Sequence, residues 1–177
     1  MLGRLRTLIL TDDPGQALRM SRHLAALFAI MMFTLASIYF ANSDLLKETK
    51  IQLLDLNLIF WAGLLLITLI IRSGLNQRLR DPSMTMVQMV WCSLYILTLV
   101  YLLNTWRSIA IMPYFGILSF GYFKLNFKEF LAITVFSVIG YSSVIIYIYV
   151  NEPLRIHFDK ELVQLLGFTM TCMVMVY

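Results

Sequence analysis

Asp55 is the first residue in which chemistry can be sought, because it is the one acid well inside an apolar segment of this 177-residue chain. An ionisable group costs about 2.5–3.5 kcal/mol at the bilayer centre and less near its edge, so Asp55 must be paired or face water. In a membrane-spanning reading, Arg107 falls at a similar depth and is the expected partner. Asn57, Trp61, Asn104, Trp106, Tyr147 and Tyr149 fall in the same half of the chain's spans. An acid, an arginine, two amides and several aromatics at one depth could line a cup open to the periplasm, taking a small-molecule or lipid ligand. The competing reading is structural: Asp55 caps or pairs, and the Trp and Tyr rings form an interface belt. Both readings stand at this stage.

The other reactive residue types offer less. No nucleophile–base set and no metal-ligand spacing occurs, so no catalytic residue, no metal site and no cofactor is expected in this chain. His23 and His157 fall on opposite sides of the membrane, which excludes a shared metal site and makes each an expected interfacial histidine. Gln88 and Gln164 each lie one turn inside a span and are expected to form interhelical hydrogen bonds. The 11 methionines read as adaptable packing. Cys92 and Cys172 sit in apolar runs and are expected to be free, buried thiols.

The elements that must position these residues follow from composition. The chain is 60% hydrophobic and only 14% charged, with a mean hydropathy of +0.79, whereas a soluble domain is about a quarter charged. The expected fold is all-α and integral to the membrane: a six-transmembrane-helix bundle with both ends cytoplasmic, in the bacterial inner membrane. Spans are expected at about 23–41, 51–71, 84–103, 108–123, 130–150 and 160–177. Residues 1–22 precede them as a cytoplasmic or interfacial segment, in which Leu2, Leu5, Leu8 and Ile9 recur at helical spacing before Asp12-Asp13-Pro14-Gly15 breaks it. The fourth span is the shortest; its 16 residues reach about 24 Å at 1.5 Å per residue, and Pro113 and Gly116 are expected to kink it.

Orientation comes from the polar stretch Arg72–Gln88, which carries Arg72, Arg78 and Arg80 and is expected to lie on lipid headgroups. With the amino terminus inside, nine of the 14 basic residues are cytoplasmic, as the positive-inside rule requires. The net charge of +4 has no aromatic-interleaved patch behind it, so the lipid bilayer, not nucleic acid, is the expected partner. The last span is still apolar at Tyr177, which reads as a piece of a longer protein.

The stretch RSGLNQRLRDPSMTMVQ, the segment MPYFGILSFGYFKLNFKEFLAI and the Lys160-Glu161-Leu162 opening of the last span together carry a resemblance. Over roughly residues 50–177 the chain resembles the six-helix membrane sensor at the amino end of a group of bacterial diguanylate cyclases. The resemblance implies a homodimer whose sixth spans meet near the cytoplasmic face, joined to a GGDEF domain that uses GTP and Mg²⁺ to make cyclic di-GMP. No GGDEF motif, phosphate-binding loop or metal-binding carboxylate pair occurs in these residues. The catalytic half is therefore expected after residue 177, and no catalytic residue carries over.

Three functions are open on this reading. The first is a sensory input module that detects a ligand or membrane signal and regulates a cytoplasmic GGDEF output domain. The second is the membrane sensor of a histidine kinase. The third is a small transporter, against which stand the absence of inverted repeats and the single deep acid.

Overall fold

The computed structural model describes residues 13–42, 50–103 and 107–176. Their regular structure is helical throughout. Six α-helices lie among the described residues: α1 Pro14–Asn42, α2 Lys50–Ser73, α3 Thr85–Leu102, α4 Arg107–Tyr122, α5 Phe127–Asn151 and α6 Phe158–Val176. Four of them are long and apolar enough to cross a membrane: α1 over Pro14–Tyr39, α2 over Gln52–Ser73, and the whole of α3 and of α5. A helix closes its backbone hydrogen bonds within itself, which is what hydrocarbon demands. Hydroxyls inside these helices follow the same rule: Thr34, Thr68, Thr98, Thr134 and Ser142 each donate to the carbonyl four residues earlier.

Two boundaries differ from the sequence expectation, each for a local reason. The break expected after the first residues falls on a helix start: Asp13 carboxylate oxygens accept from the backbone N–H of Gly15 at 3.1 Å and of Gln16 at 3.3 Å. Helix α1 therefore begins at Pro14 rather than His23, with proline at the first helical position where its missing N–H costs nothing. The expected interfacial helix on Leu2, Leu5, Leu8 and Ile9 lies outside the described residues. Helix α5 begins at Phe127 rather than 130 because Asn126 and Glu129 form a capping box, each side chain bonding the other's backbone N–H.

The chain divides into two compact units, Met1–Met84 and Thr85–Tyr177. In the first, α1 and α2 pack as a pair around Met20, Leu53, Phe60, Leu64 and Ile71. Polar contacts recur along this pair. His23 Nε2 lies 2.8 Å from Thr68 Oγ1, Trp61 Nε1 donates to Thr34 Oγ1 at 3.2 Å, and Asn57 Nδ2 donates to Ser37 Oγ at 3.4 Å. At the end of the pair, Gln16 and Asn76 exchange amide hydrogen bonds at 2.6 and 3.3 Å. Gln16 also donates to the Ile71 carbonyl, and Asn76 to the Pro82 carbonyl at 2.6 Å. His23, expected at the interface, is instead only 3% exposed, because Thr68 gives its ring a partner inside the helix pair.

The loop RSGLNQRLRDPS belongs to this unit. Gly74, at φ 79°, ends α2 in the left-handed conformation that glycine adopts without strain. Asp81 accepts from the Ser83 N–H at 3.0 Å, a turn that precedes α3. Met84 takes a left-handed φ of 53°, uncommon for a residue with a side chain.

In the second unit α3 is the central helix, with 56% of its span buried, against 33% for α5. It packs against α4 and α5, and α6 closes against both of these. Gly140 allows the close approach of α5 to α3: a Cβ there would stand 2.5 Å from Leu97 Cδ1. The core is Ile96, Leu99, Val100, Tyr114, Leu118, Ile133, Tyr141 and Ile148. Cys92 and Cys172 are free and buried.

Candidate functional site

Where α3 and α5 end and α4 and α6 begin, the second unit buries a charge pair. Arg107, the first residue of α4, is 2% exposed. Its Nη1 donates to Glu161 Oε1 at 2.8 Å, and its Nε donates to the Val100 carbonyl at 3.1 Å. That carbonyl lies in the last turn of α3, among those a helix leaves without an internal acceptor role, and it carries the partial negative charge of a helix end. Arg107 thus meets two negative partners, one full and one partial. Glu161 sits in the first turn of α6, the end at which a carboxylate is favoured by the helix dipole.

The network continues through the other carboxylate oxygen. Tyr141 on α5 donates its hydroxyl to Glu161 Oε2 at 3.2 Å; the same hydroxyl lies 3.4 Å from Gln164 Oε1. Gln164 is three residues after Glu161 and so shares its helix face. Its Nε2 donates to Ser108 Oγ at 2.6 Å. The first two residues of α4 are therefore each held by a side chain from the start of α6. Nearby, Tyr101 near the end of α3 donates to Glu152 Oε1 at 3.0 Å, just past the end of α5.

Aromatic rings carry this end into the core. Phe168 stands with its centroid 5.8 Å from Tyr141 and 5.1 Å from Tyr114, at separations where edge and tilted ring pairs attract. Tyr114 donates to the Ser93 carbonyl at 3.2 Å. The hydroxyl of Ser93 itself is fully buried and has no hydrogen-bond partner among the described residues.

The residues of the expected cup are divided between the two units. Asp55, expected beside Arg107, is exposed on α2 in the first unit. Within the second unit Arg107 pairs with Glu161, which opens the helix packed beside α4. Asn57 and Trp61 spend their polar atoms within the α1–α2 pair, on Ser37 and Thr34. Tyr147 and Tyr149 are exposed; Tyr147 meets Tyr101 edge-on at 6.0 Å between centroids, and Tyr149 meets Phe158 in a tilted pair at 5.0 Å. Asn104 and Trp106 lie outside the described residues. Arg72, Arg78 and Arg80 are all exposed in their loop, and Gln164 forms the interhelical bonds expected of it.

Sequence reasoning missed Glu161 and Tyr141. In the sequence Glu161 opens the last span, and Glu161 and Gln164 share one face of a helix expected to begin on the same side as Arg107; which acid Arg107 meets is left open there. Tyr141, inside an apolar run, carried no separate signal.

Chemically the site is a closed pair of opposite charges with its remaining oxygen bonded by a phenol. It ties the starts of α4 and α6 to the end of α3 and to α5, so movement of one helix end strains a charge pair shared by the others. Comparison with family models, with curated proteins and with solved structures finds no match to this chain. Four helices long and apolar enough to cross the bilayer define the class, a membrane protein that is helical in the regular structure of its described residues.

Proposed function

We propose that the chain is the membrane-embedded input module of a bacterial signalling protein, in which a ligand or a membrane property shifts α6 and so regulates a cytoplasmic output domain. In this proposal all six helices span the inner membrane, with the amino terminus and the far end of α6 in the cytoplasm. The output domain is a GGDEF diguanylate cyclase, which would bind GTP and Mg²⁺, and the working form is a homodimer. The resemblance of RSGLNQRLRDPSMTMVQ and the segments after it supports the choice of output. The observation that carries the input role is the Arg107–Glu161 pair, buried where α6 begins. A buried pair resists partial separation, because each charge left alone pays its desolvation in full. It therefore favours discrete arrangements over gradual ones, as a switch needs.

The coding sequence downstream of Tyr177 is the quickest check. A GGDEF signature supports the cyclase, a phospho-acceptor histidine segment replaces it with a kinase, and neither removes the reading. The functional test is cellular cyclic di-GMP from the full-length protein carrying Arg107→Gln, Glu161→Gln or both. Each single variant should alter output per molecule of membrane-inserted protein, and the double variant should move it back toward the parent. Output that simply follows protein level in all three would overturn the input role.

A further inference from the structure

Along the first turns of α5, an apolar groove of about 370 Å³ opens between α5 and the last turns of α6. Leu131, Val135, Val138 and Ile139 line one wall, Met173 and Val176 the other. We infer that this groove seats one acyl chain of an anionic phospholipid whose headgroup is held by Lys128.

Depth is the first reason. The lining on α5 runs from Phe127 to Ile139, about 18 Å at 1.5 Å per residue, within a helix long and apolar enough to cross the membrane. At that depth the surroundings are hydrocarbon. Width is the second. Spread over that length, 370 Å³ gives a narrow trough of about 20 Å² in cross-section, a size that a single unbranched chain fills. A non-helical peptide would leave its backbone groups unbonded there. Polarity is the third. Thr134, which also lines the groove, already spends its hydroxyl on the Phe130 carbonyl at 2.9 Å, so it asks nothing of the occupant.

Charge decides the headgroup. Lys128 is exposed in the first turn of α5, three and seven residues before Leu131 and Val135, and so beside the groove-lining stripe. Lys124 is exposed in the turn just before the helix. Glu129, the acid of this turn, is engaged with the Asn126 backbone N–H at 3.3 Å as part of the capping box. The ammonium group of Lys128 beside the groove favours phosphate. This seat is independent of the signalling proposal above.

The test is native mass spectrometry of the purified protein offered equal amounts of phosphatidylglycerol and phosphatidylcholine with identical acyl chains. The parent should retain the anionic lipid about fivefold over the zwitterionic one, the ratio equivalent to the ~1 kcal/mol of one lysine at an anionic surface. Lys128→Gln should bring the two lipids to near parity. Val135→Trp and Ile139→Trp, at exposed positions that tolerate bulk, should each fill the groove and reduce retention of both lipids. Arg72→Gln, exposed at a different loop, should leave the ratio unchanged. An unchanged ratio in Lys128→Gln, or full lipid retention in both tryptophan variants, overturns the proposal. So does a tryptophan variant that changes only the monomer–dimer balance, which would make the groove a seat for a second copy of this chain.

Discussion

Arg107 carries its charge into a position 2% exposed and meets both a carboxylate and a helix-end carbonyl there. The cost of that burial is hidden only while Glu161 remains opposite. Removing one partner of a buried pair costs about 3–5 kcal/mol, most of it the penalty on the charge left behind. Arg107→Gln and Glu161→Gln should each destabilise the folded protein on that scale, measured by unfolding in mild detergent. The double variant leaves no stray charge and should recover part of the loss; strictly additive effects would show that the two side chains do not communicate. Tyr141→Phe gives a gentler probe, since it removes only the phenol hydrogen bond to Glu161 Oε2.

At the scale of elements, α1 and α2 are joined by polar contacts spread over most of their length, from Gln16 to Ser37 on one helix and from Asn57 to Ile71 on the other. In lipid, apolar faces gain little by pairing, so such hydrogen bonds help choose the partner and its register. Each is individually small. Thr68→Val, which removes the partner of His23 at nearly constant volume, should cost about 0.6 kcal/mol and no more than ~1.7 kcal/mol. Unfolding of the detergent-solubilised protein would check it; a loss of several kcal/mol would mean that His23 is charged or otherwise bound. Helix α4 is held differently. It is short, 16 residues, and its first two residues are fixed by α6 through Glu161 and Gln164. Helix α5 carries its own start signal in Asn126 and Glu129.

For the whole molecule, the orientation proposed here puts the Arg72–Arg80 loop in the cytoplasm and the start of α6 outside. Arg78 and Lys160 are both exposed, whereas the native thiols Cys92 and Cys172 are buried and should give little background. Arg78→Cys should therefore react in intact cells only with a membrane-permeant thiol reagent, and Lys160→Cys also with an impermeant one. The opposite pattern would invert the topology. Equal reaction of both with the impermeant reagent would put the loop and the start of α6 on one side of the membrane, so that not all of α3, α4 and α5 cross it.

The class of this protein was determined by sequence alone. Long apolar runs between polar loops produce membrane-length helices whatever their neighbours, because backbone bonding in hydrocarbon is local to each helix. Hence the starts and ends of α2, α3, α4 and α6 were legible to within a few residues. The charge-free run puts the start of the first span at His23, whereas the helix begins at Pro14, after the helix-start pattern Asp13-Pro14. Partner choice was not legible. Asp55 is the deeper acid and Glu161 stands in the first turn of its helix, yet nothing local says which of them Arg107 meets. Packing within the second unit brings Glu161 to Arg107, since which helix lies beside α4 is a property of the assembled unit. For the same reason Asn76 reads in sequence as a loop residue but is fully buried by Gln16 and the Pro82 carbonyl. Depth in the membrane follows from the order of residues along each helix; the azimuth that decides who meets whom follows only from tertiary structure.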